Sequence, residues 1–208
     1  MSYRLLMMDV DSTLINEEVI DLLAAYAGMG QSVATITESA MRGEINFEDA
    51  LRQRLALLKD QPVSILKDVL TQISFTPGAL ELIQVLKNQG WRIGLVSGGF
   101  LEILTPLSHG LNLDFIHAHQ LSIKSERLTG EIIGSIVDKE EKARALRRFA
   151  AQHQIDMSDT VAIGDGANDI EMIKIAGLGI SFCGKPILAK AAKVQITERN
   201  LMKVLDFL

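Results

Sequence analysis

A chain of 208 residues, 48% hydrophobic and 23% charged, has an ordinary globular composition, which excludes disorder as its main state. A formal net charge of −5 and only 5% aromatic residues exclude the cationic, ring-rich surface that nucleic-acid binding usually needs. The single cysteine, Cys183, excludes an intramolecular disulfide.

Leu5 to Met8 reads as a short buried strand running straight into Asp9-Val10-Asp11-Ser12-Thr13. This apolar block is too short for the hydrophobic region of a secretion signal. No run approaches a membrane span. A soluble cytoplasmic chain is therefore expected, with no membrane or nucleic-acid partner. The stretch 16–74 predicts helices only: Glu17 to Tyr26, Val33 to Arg42, Phe47 to Leu58 and Pro62 to Gln72. Pro77-Gly78-Ala79 opens a further helix, carrying Leu80, Ile83, Val85 and Leu86, which stops at Asn88-Gln89-Gly90. Arg92 to Val96 predicts a second strand, ending in Ser97-Gly98-Gly99. Leu121 to Lys124 and Leu128 to Ile133 alternate around a polar turn and predict a β-hairpin. Lys139 to Gln152 is helical, with Ala143, Leu146 and Phe149 on one face. Thr160 to Ile163 predicts a third strand, ending in Gly164-Asp165-Gly166, and Asn168 to Ala176 a helix ended by Gly177. Leu178 to Phe182 and Val194 to Ile196 are further short strands.

The strands are apolar on both faces, as in parallel sheets covered by helices. Their alternation with helices predicts an α/β fold. Its core is a Rossmann-like open, mostly parallel sheet of residues 1–15 and 75–208. A helical cap, 16–74, is inserted after the first strand, and a small β-hairpin is appended.

Three strands end in polar, glycine-rich clusters. Ligands bind outside the carboxyl ends of strands in such sheets, so the clusters should converge on one site. Asp9, Asp11, Asp165 and Asp169 would then gather carboxylates whose mutual repulsion a hard divalent cation relieves. A lone Asp after a strand would simply cap a helix; a pair two residues apart plus a second acidic cluster points to a metal. Ser97 offers a hydroxyl, and Gly98 and Gly99 let backbone N–H groups approach an anion. Lys139 and Lys142 both start the helix before the third strand, and spacing does not choose between them. His117-Ala118-His119 has the spacing of a metal-binding pair on a strand, but no third ligand accompanies it, so an ordinary structural role is expected. Cys183 is expected to be a small buried hydrophobe.

These motifs, in this order, resemble the haloacid dehalogenase superfamily of phosphotransferases. Asp9-Val10-Asp11-Ser12-Thr13 resembles its DxDST signature; Ser97-Gly98, a downstream lysine and Gly164-Asp165-Gly166-Ala167-Asn168-Asp169 resemble its later motifs. Asn16-Glu17-Glu18, Gly43 to Phe47, Leu51-Arg52-Gln53-Arg54 and Phe182 to Pro186 resemble the phosphoserine phosphatase branch. The resemblance implies hydrolysis of a small phosphomonoester, O-phospho-L-serine, through an aspartyl-phosphate with Mg²⁺. It implies Asp9 as nucleophile and Asp11 as acid and base. Asp9, Asp165 and the backbone carbonyl of Asp11 would hold the metal, and Asp169 would order its water. Ser97, Gly98 and Lys142 would stabilise the phosphoryl oxygens, with Asn168 helping to hold the phosphate site. Glu18 would pair with the substrate ammonium and Arg54 with its carboxylate. Met41 and Phe47 would shield the site from water. Transfer to another alcohol such as homoserine, or hydrolysis of a different small phosphomonoester, shares these core motifs. A receiver-type phospho-accepting module would need neither Asp11 nor a helical insertion.

Overall fold

The computed structural model describes residues 3–208, with the side chain of Met41 outside that description. The elements run β1 (Leu5–Met8), α1 (Val19–Tyr26), α2 (Gly30–Met41), α3 (Phe47–Ala56), α4 (Ile65–Leu70), α5 (Ala79–Asn88) and β2 (Arg92–Phe100). There follow α6 (Leu101–Leu107), β3 (Phe115–Lys124), β4 (Arg127–Ile133), α7 (Lys139–Gln152) and β5 (Thr160–Gly164). The chain ends with α8 (Ile170–Ile175), β6 (Leu178–Phe182), α9 (Pro186–Ala189) and β7 (Val194–Ile196). Tight helical turns occupy Met157–Asp159, Ala167–Asp169 and Leu201–Phe207.

The strands form one 7-stranded sheet in the order β4-β3-β2-β1-β5-β6-β7. All pairings are parallel except β3 with β4. The all-apolar sequence of β1 follows from its place at the centre, where side chains alternate between two covered faces. Leu6 and Met8 join one apolar cluster with α5 residues Leu82 and Leu86 and α6 residues Ile103 and Leu104. Leu5 and Met7 join the opposite cluster with Leu146 and Phe149 of α7 and Met172 of α8. Chain order reverses at β1, which has β2 on one side and β5 on the other. A crevice opens at such a switch point, outside the strands' carboxyl ends.

Helices α1 to α4 occupy the stretch between β1 and α5. The chain leaves and re-enters the sheet region side by side. Ile15 pairs with Phe75, the Asn16 N–H donates to the Ser74 carbonyl (3.0 Å), and the Thr76 N–H donates to the Leu14 carbonyl (2.9 Å). Val19, Leu23, Leu51, Leu55 and Val69 from these helices belong to the same apolar cluster as Leu6 and Met8. No helix among the described residues is long and apolar enough to cross a membrane.

Some elements differ from the sequence reading. Strand β2 continues through Ser97-Gly98-Gly99 to Phe100 instead of ending at Val96, because the glycines sit in a bulge within the strand. Helix α6 starts directly from that strand, without the turn residues that announce a helix. Strand β3 begins at Phe115, well before the alternating part of the hairpin. Cys183 is exposed and not a buried hydrophobe. It follows the last residue of β6 with φ of 45°, in the turn where its N–H donates to the Ile196 carbonyl (2.7 Å).

Candidate active site

Asp9 follows directly on the last residue of the central strand. Its N–H donates to the Ile163 carbonyl at 2.9 Å, which aims the next residues out of the sheet at the switch point. The chain then coils tightly through Val10–Leu14, with Ser12 in the left-handed region (φ 57°). The Ser12 N–H donates to the Glu17 carbonyl (3.2 Å) and its Oγ to Glu18 Oε1 (2.7 Å). A strained serine here thus carries Glu18 to the edge of the Asp9-Asp11 loop.

Helix α7 delivers the cation. Asp138 caps it by accepting the Glu141 N–H (2.8 Å), and Lys142 projects from its first turn into the cluster. Lys142 Nζ donates to Asp9 Oδ1 (2.6 Å) and Asp169 Oδ1 (2.7 Å), and Lys142 is fully buried. Burial alone would lower this ammonium, but the charges and hydrogen bonds of Asp169 and Asp9 hold it above the ordinary lysine value. Lys139 instead lies at the surface, with Glu140 3.6 Å away. The structure therefore chooses between the two lysines that spacing left open.

The third cluster follows β5. Gly164-Asp165-Gly166 leads into the turn Ala167–Asp169, which folds Asp169 back on the strand end. Asp169 Oδ2 accepts the N–H groups of Asp165 (3.1 Å) and Gly166 (3.0 Å). A side chain at Gly164 would collide with the Asp169 carboxylate, so only glycine fits. The amide oxygen of Asn168 packs against Gly166. The loop after β6 braces the cluster from beyond: the Lys185 N–H donates to the Asp165 carbonyl (2.8 Å), and Lys185 Nζ lies 3.9 Å from Asp165 Oδ2.

Carboxylate oxygens of Asp9, Asp165 and Asp169 lie within 4.8 Å of one another. Burial, then the neighbouring Asp169, push Asp165 up to about 6. Burial and Asp169 also raise Asp9 well above the ordinary carboxylate value, against the pull of Lys142. Hard oxygen donors crowded until they resist ionisation fit a divalent cation, whose charge would reverse that resistance.

Asp11 differs from these three. Among the described residues its Oδ1 has no hydrogen-bond partner, although it is buried. Burial and the charge of Glu18 hold its carboxyl well above the ordinary value. Its oxygens face Gly99, 3.5–3.6 Å from where a Cβ would stand. Ser97 is buried, and its Oγ accepts the Gly99 N–H at 2.8 Å. The Phe47 ring, from α3, reaches to 3.6 Å from the Cβ position of Gly98, so the helical stretch overhangs this bulge. Arg54, about two turns further along α3, donates through Nε to the Ala50 carbonyl (3.2 Å). Burial lowers its guanidinium, while Asp21, Glu18 and Asp11 pull it upward, so it stands within electrostatic reach of the site. Met41 ends α2, and its side chain lies outside the described residues.

The structure thus gathers Asp9, Asp165, Asp169 and Lys142 tightly, and sets Asp11, Ser97, Gly98, Gly99, Phe47, Glu18, Arg54 and Asn168 around them. Sequence reasoning gave no site role to Ser12 or Lys185, and only an ordinary structural role to His119. The signal for Lys185 was its place in the loop after a strand; for His119 it was a polar residue inside an apolar sheet.

A family model described as haloacid dehalogenase-like hydrolase matches residues 6–174. The chain is 48% identical over 203 residues to a phosphoserine phosphatase of Lactococcus lactis, covering 98% of this chain and 94% of that protein. It is similar to a solved structure described as a phospho-aspartyl intermediate analogue of phosphoserine phosphatase, with TM-score 0.93, 42% identity and full coverage of both chains. A substrate-bound phosphoserine phosphatase complex gives TM-score 0.94 at 41% identity, covering 100% of this chain and 99% of the other.

Proposed function

Because the chain belongs to the haloacid dehalogenase-like hydrolase family, we propose that it is a phosphomonoesterase that hydrolyses O-phospho-L-serine to L-serine and phosphate. The observation that carries the chemistry is the contrast between Asp9 and Asp11. One carboxylate is hydrogen-bonded to a buried ammonium, and the other, two residues on, keeps a buried oxygen free among the described residues.

Asp9 is the nucleophile. The Lys142 ammonium favours the Asp9 anion against the opposing effect of burial and fixes one oxygen, leaving the other to attack phosphorus. Asp11, whose carboxyl burial and then Glu18 hold well above the ordinary value, gives a proton to the seryl oxygen as the P–O bond breaks. L-serine leaves, and an aspartyl-phosphate remains on Asp9. The Asp11 carboxylate then takes a proton from water as the water oxygen attacks phosphorus. The Asp9–phosphorus bond breaks, phosphate leaves, and Asp11 is again protonated. One group serves both steps because they are chemical mirror images.

Asp9, Asp165 and the Asp11 backbone carbonyl would hold Mg²⁺, with Asp169 acting through water because Lys142 and two amides already occupy its oxygens. When bound there, Mg²⁺ supplies the charge that lets a carboxylate approach a phosphate dianion. Ser97 Oγ, the amide of Gly98 and Lys142 hold the transferring phosphoryl oxygens, and Asn168 supports that site. Glu18 takes the substrate ammonium and Arg54 its carboxylate. Phe47, with Met41, excludes water above them. Residues 16–74 act as a cap on the core of 1–15 and 75–208, and the enzyme works in the cytoplasm. The test is hydrolysis across a panel of phosphomonoesters with Mg²⁺ and with EDTA, including homoserine as a competing acceptor. Phosphoserine should be preferred, EDTA should stop turnover, and Mg²⁺ should restore it. Preference for another ester, or phosphoryl transfer to homoserine, would overturn the substrate assignment.

A further inference from the structure

His119 lies inside the sheet on β3 with 1% of its surface exposed. Both ring nitrogens are engaged. Nε2 accepts the Val137 N–H at 2.8 Å, so it carries no proton. The proton is therefore on Nδ1, which donates to the Gly98 carbonyl at 3.0 Å. Burial holds the ring below its ordinary value, which keeps this neutral tautomer.

The reason for a histidine here lies in the strand register. Val96 pairs with His117 and Phe100 with His119, so β2 spends two more residues than β3 between these pairs. The bulge takes Gly98 out of the parallel ladder and leaves its half-buried carbonyl needing a donor. His119 supplies that donor from the opposite strand. Its other nitrogen holds Val137, immediately before Asp138, the cap of the helix that carries Lys142. One ring thus ties the bulge bearing Ser97 and Gly98 to the start of α7.

We propose that His119 is a positioning residue for phosphoryl transfer: its Nδ1–H bond sets the Gly98 peptide, and its Nε2 bond to the Val137 N–H holds the ring in the tautomer that makes this possible. It acts on the phosphate through the Gly98 peptide and does not touch the substrate. The inference rests on the reading that Ser97, Gly98 and Lys142 hold the phosphoryl group.

Two substitutions separate the bonds. His119→Asn keeps an amide donor near the Nδ1 position for Gly98 and loses the acceptor for Val137. His119→Gln places its amide one bond further out, where it can serve Val137 but not Gly98. Inorganic phosphate affinity, by calorimetry with Mg²⁺ present, and kcat on p-nitrophenyl phosphate are measured for both, with melting temperatures. In His119→Gln both should fall about tenfold, the scale of one displaced group at a phosphate site, while His119→Asn stays near wild type. Melting temperatures should differ little between the two. Equal phosphate affinities in the two variants, or losses that track melting temperature, would assign His119 to packing and overturn the proposal. Both readouts need only a phosphate site. A wild-type chain inactive on phosphoserine would therefore overturn the substrate reading and leave this result standing.

Discussion

Lys142 Nζ lies 2.6 Å from Asp9 Oδ1, with the lysine side chain fully buried and the aspartate side chain only 4% exposed. An ammonium with no access to water is tolerable only because two carboxylates receive it, the second being Asp169 at 2.7 Å. The attraction is mutual: the ammonium favours the Asp9 anion against burial, and the acids hold the lysine charged. Lys142→Met keeps all but the last atom of the side chain's length and removes the charge. Removing one partner from a buried ionic cluster costs roughly 3–5 kcal/mol, so denaturant unfolding in EDTA should show a loss of that order. Saturating Mg²⁺ should recover part of it, because a ligand that binds only the folded chain stabilises it. Stability equal to wild type in EDTA would show that the acids do not need the ammonium.

Asp9→Asn should leave the fold intact and remove turnover. The amide keeps an oxygen for the Lys142 bond, so the melting temperature should shift little. It is not a nucleophile, so kcat should fall by roughly 10⁴-fold or more, the scale seen when a covalent nucleophile is removed. Mass spectrometry of quenched reactions should find a phosphorylated chain for wild type and none for the variant. A variant that retains substantial turnover would remove Asp9 from the nucleophile role.

The sequence made the ends of β1 and β5 legible because there an apolar run stops abruptly at paired acids, and a parallel sheet leaves one place for them to meet. It did not show which of Lys139 and Lys142 enters the site. That choice depends on helix phase relative to the sheet, which places Lys142 inward beside Glu141 and Ala143 and leaves Lys139 at the surface. The role of His119 was illegible for another reason. Its partners, the Gly98 carbonyl and the Val137 N–H, are backbone groups of other segments, and a strand's register is not written in its composition. Cys183 misled because composition favours burial, whereas a turn with positive φ turned it outward.

The acidic cluster should give the metal-free chain an inverted pH response that Asp165→Asn isolates. Asp165 is pushed up to about 6 by burial and then by Asp169. Its unfolded value is about 3.9. Between those values the folded state binds more protons than the unfolded one, so the stability this group contributes is present below the lower value and is lost as pH rises through the higher. His117 and His119, held low by burial, act in the opposite direction as pH falls through about 6.5, so absolute stability mixes both effects. The difference between Asp165→Asn and wild type cancels the histidines. In EDTA, the variant should gain on wild type as pH rises from 4 to 7. Urea unfolding at both ends of that range measures it, and a difference independent of pH would show that Asp165 is not destabilised as an anion.

Arg54 should decide the amino-acid part of the substrate without sharing in the chemistry. Its guanidinium lies within reach of Glu18 and Asp11, the sides on which the substrate's ammonium and leaving oxygen would lie. Among the described residues its side chain makes one hydrogen bond, from Nε to the Ala50 carbonyl, which leaves its terminal nitrogens for a planar carboxylate. Arg54→Ala should therefore lower kcat/KM for phosphoserine by about a hundredfold, as expected for loss of a charged, two-point contact. An aryl phosphate has no carboxylate, so its kcat/KM should change by less than about threefold on the same free-energy scale. O-phosphoethanolamine, which keeps the ammonium but lacks the carboxylate, should behave like the aryl ester. Parallel losses on all three esters would mean that Arg54 holds the helical stretch in place and does not read the carboxylate.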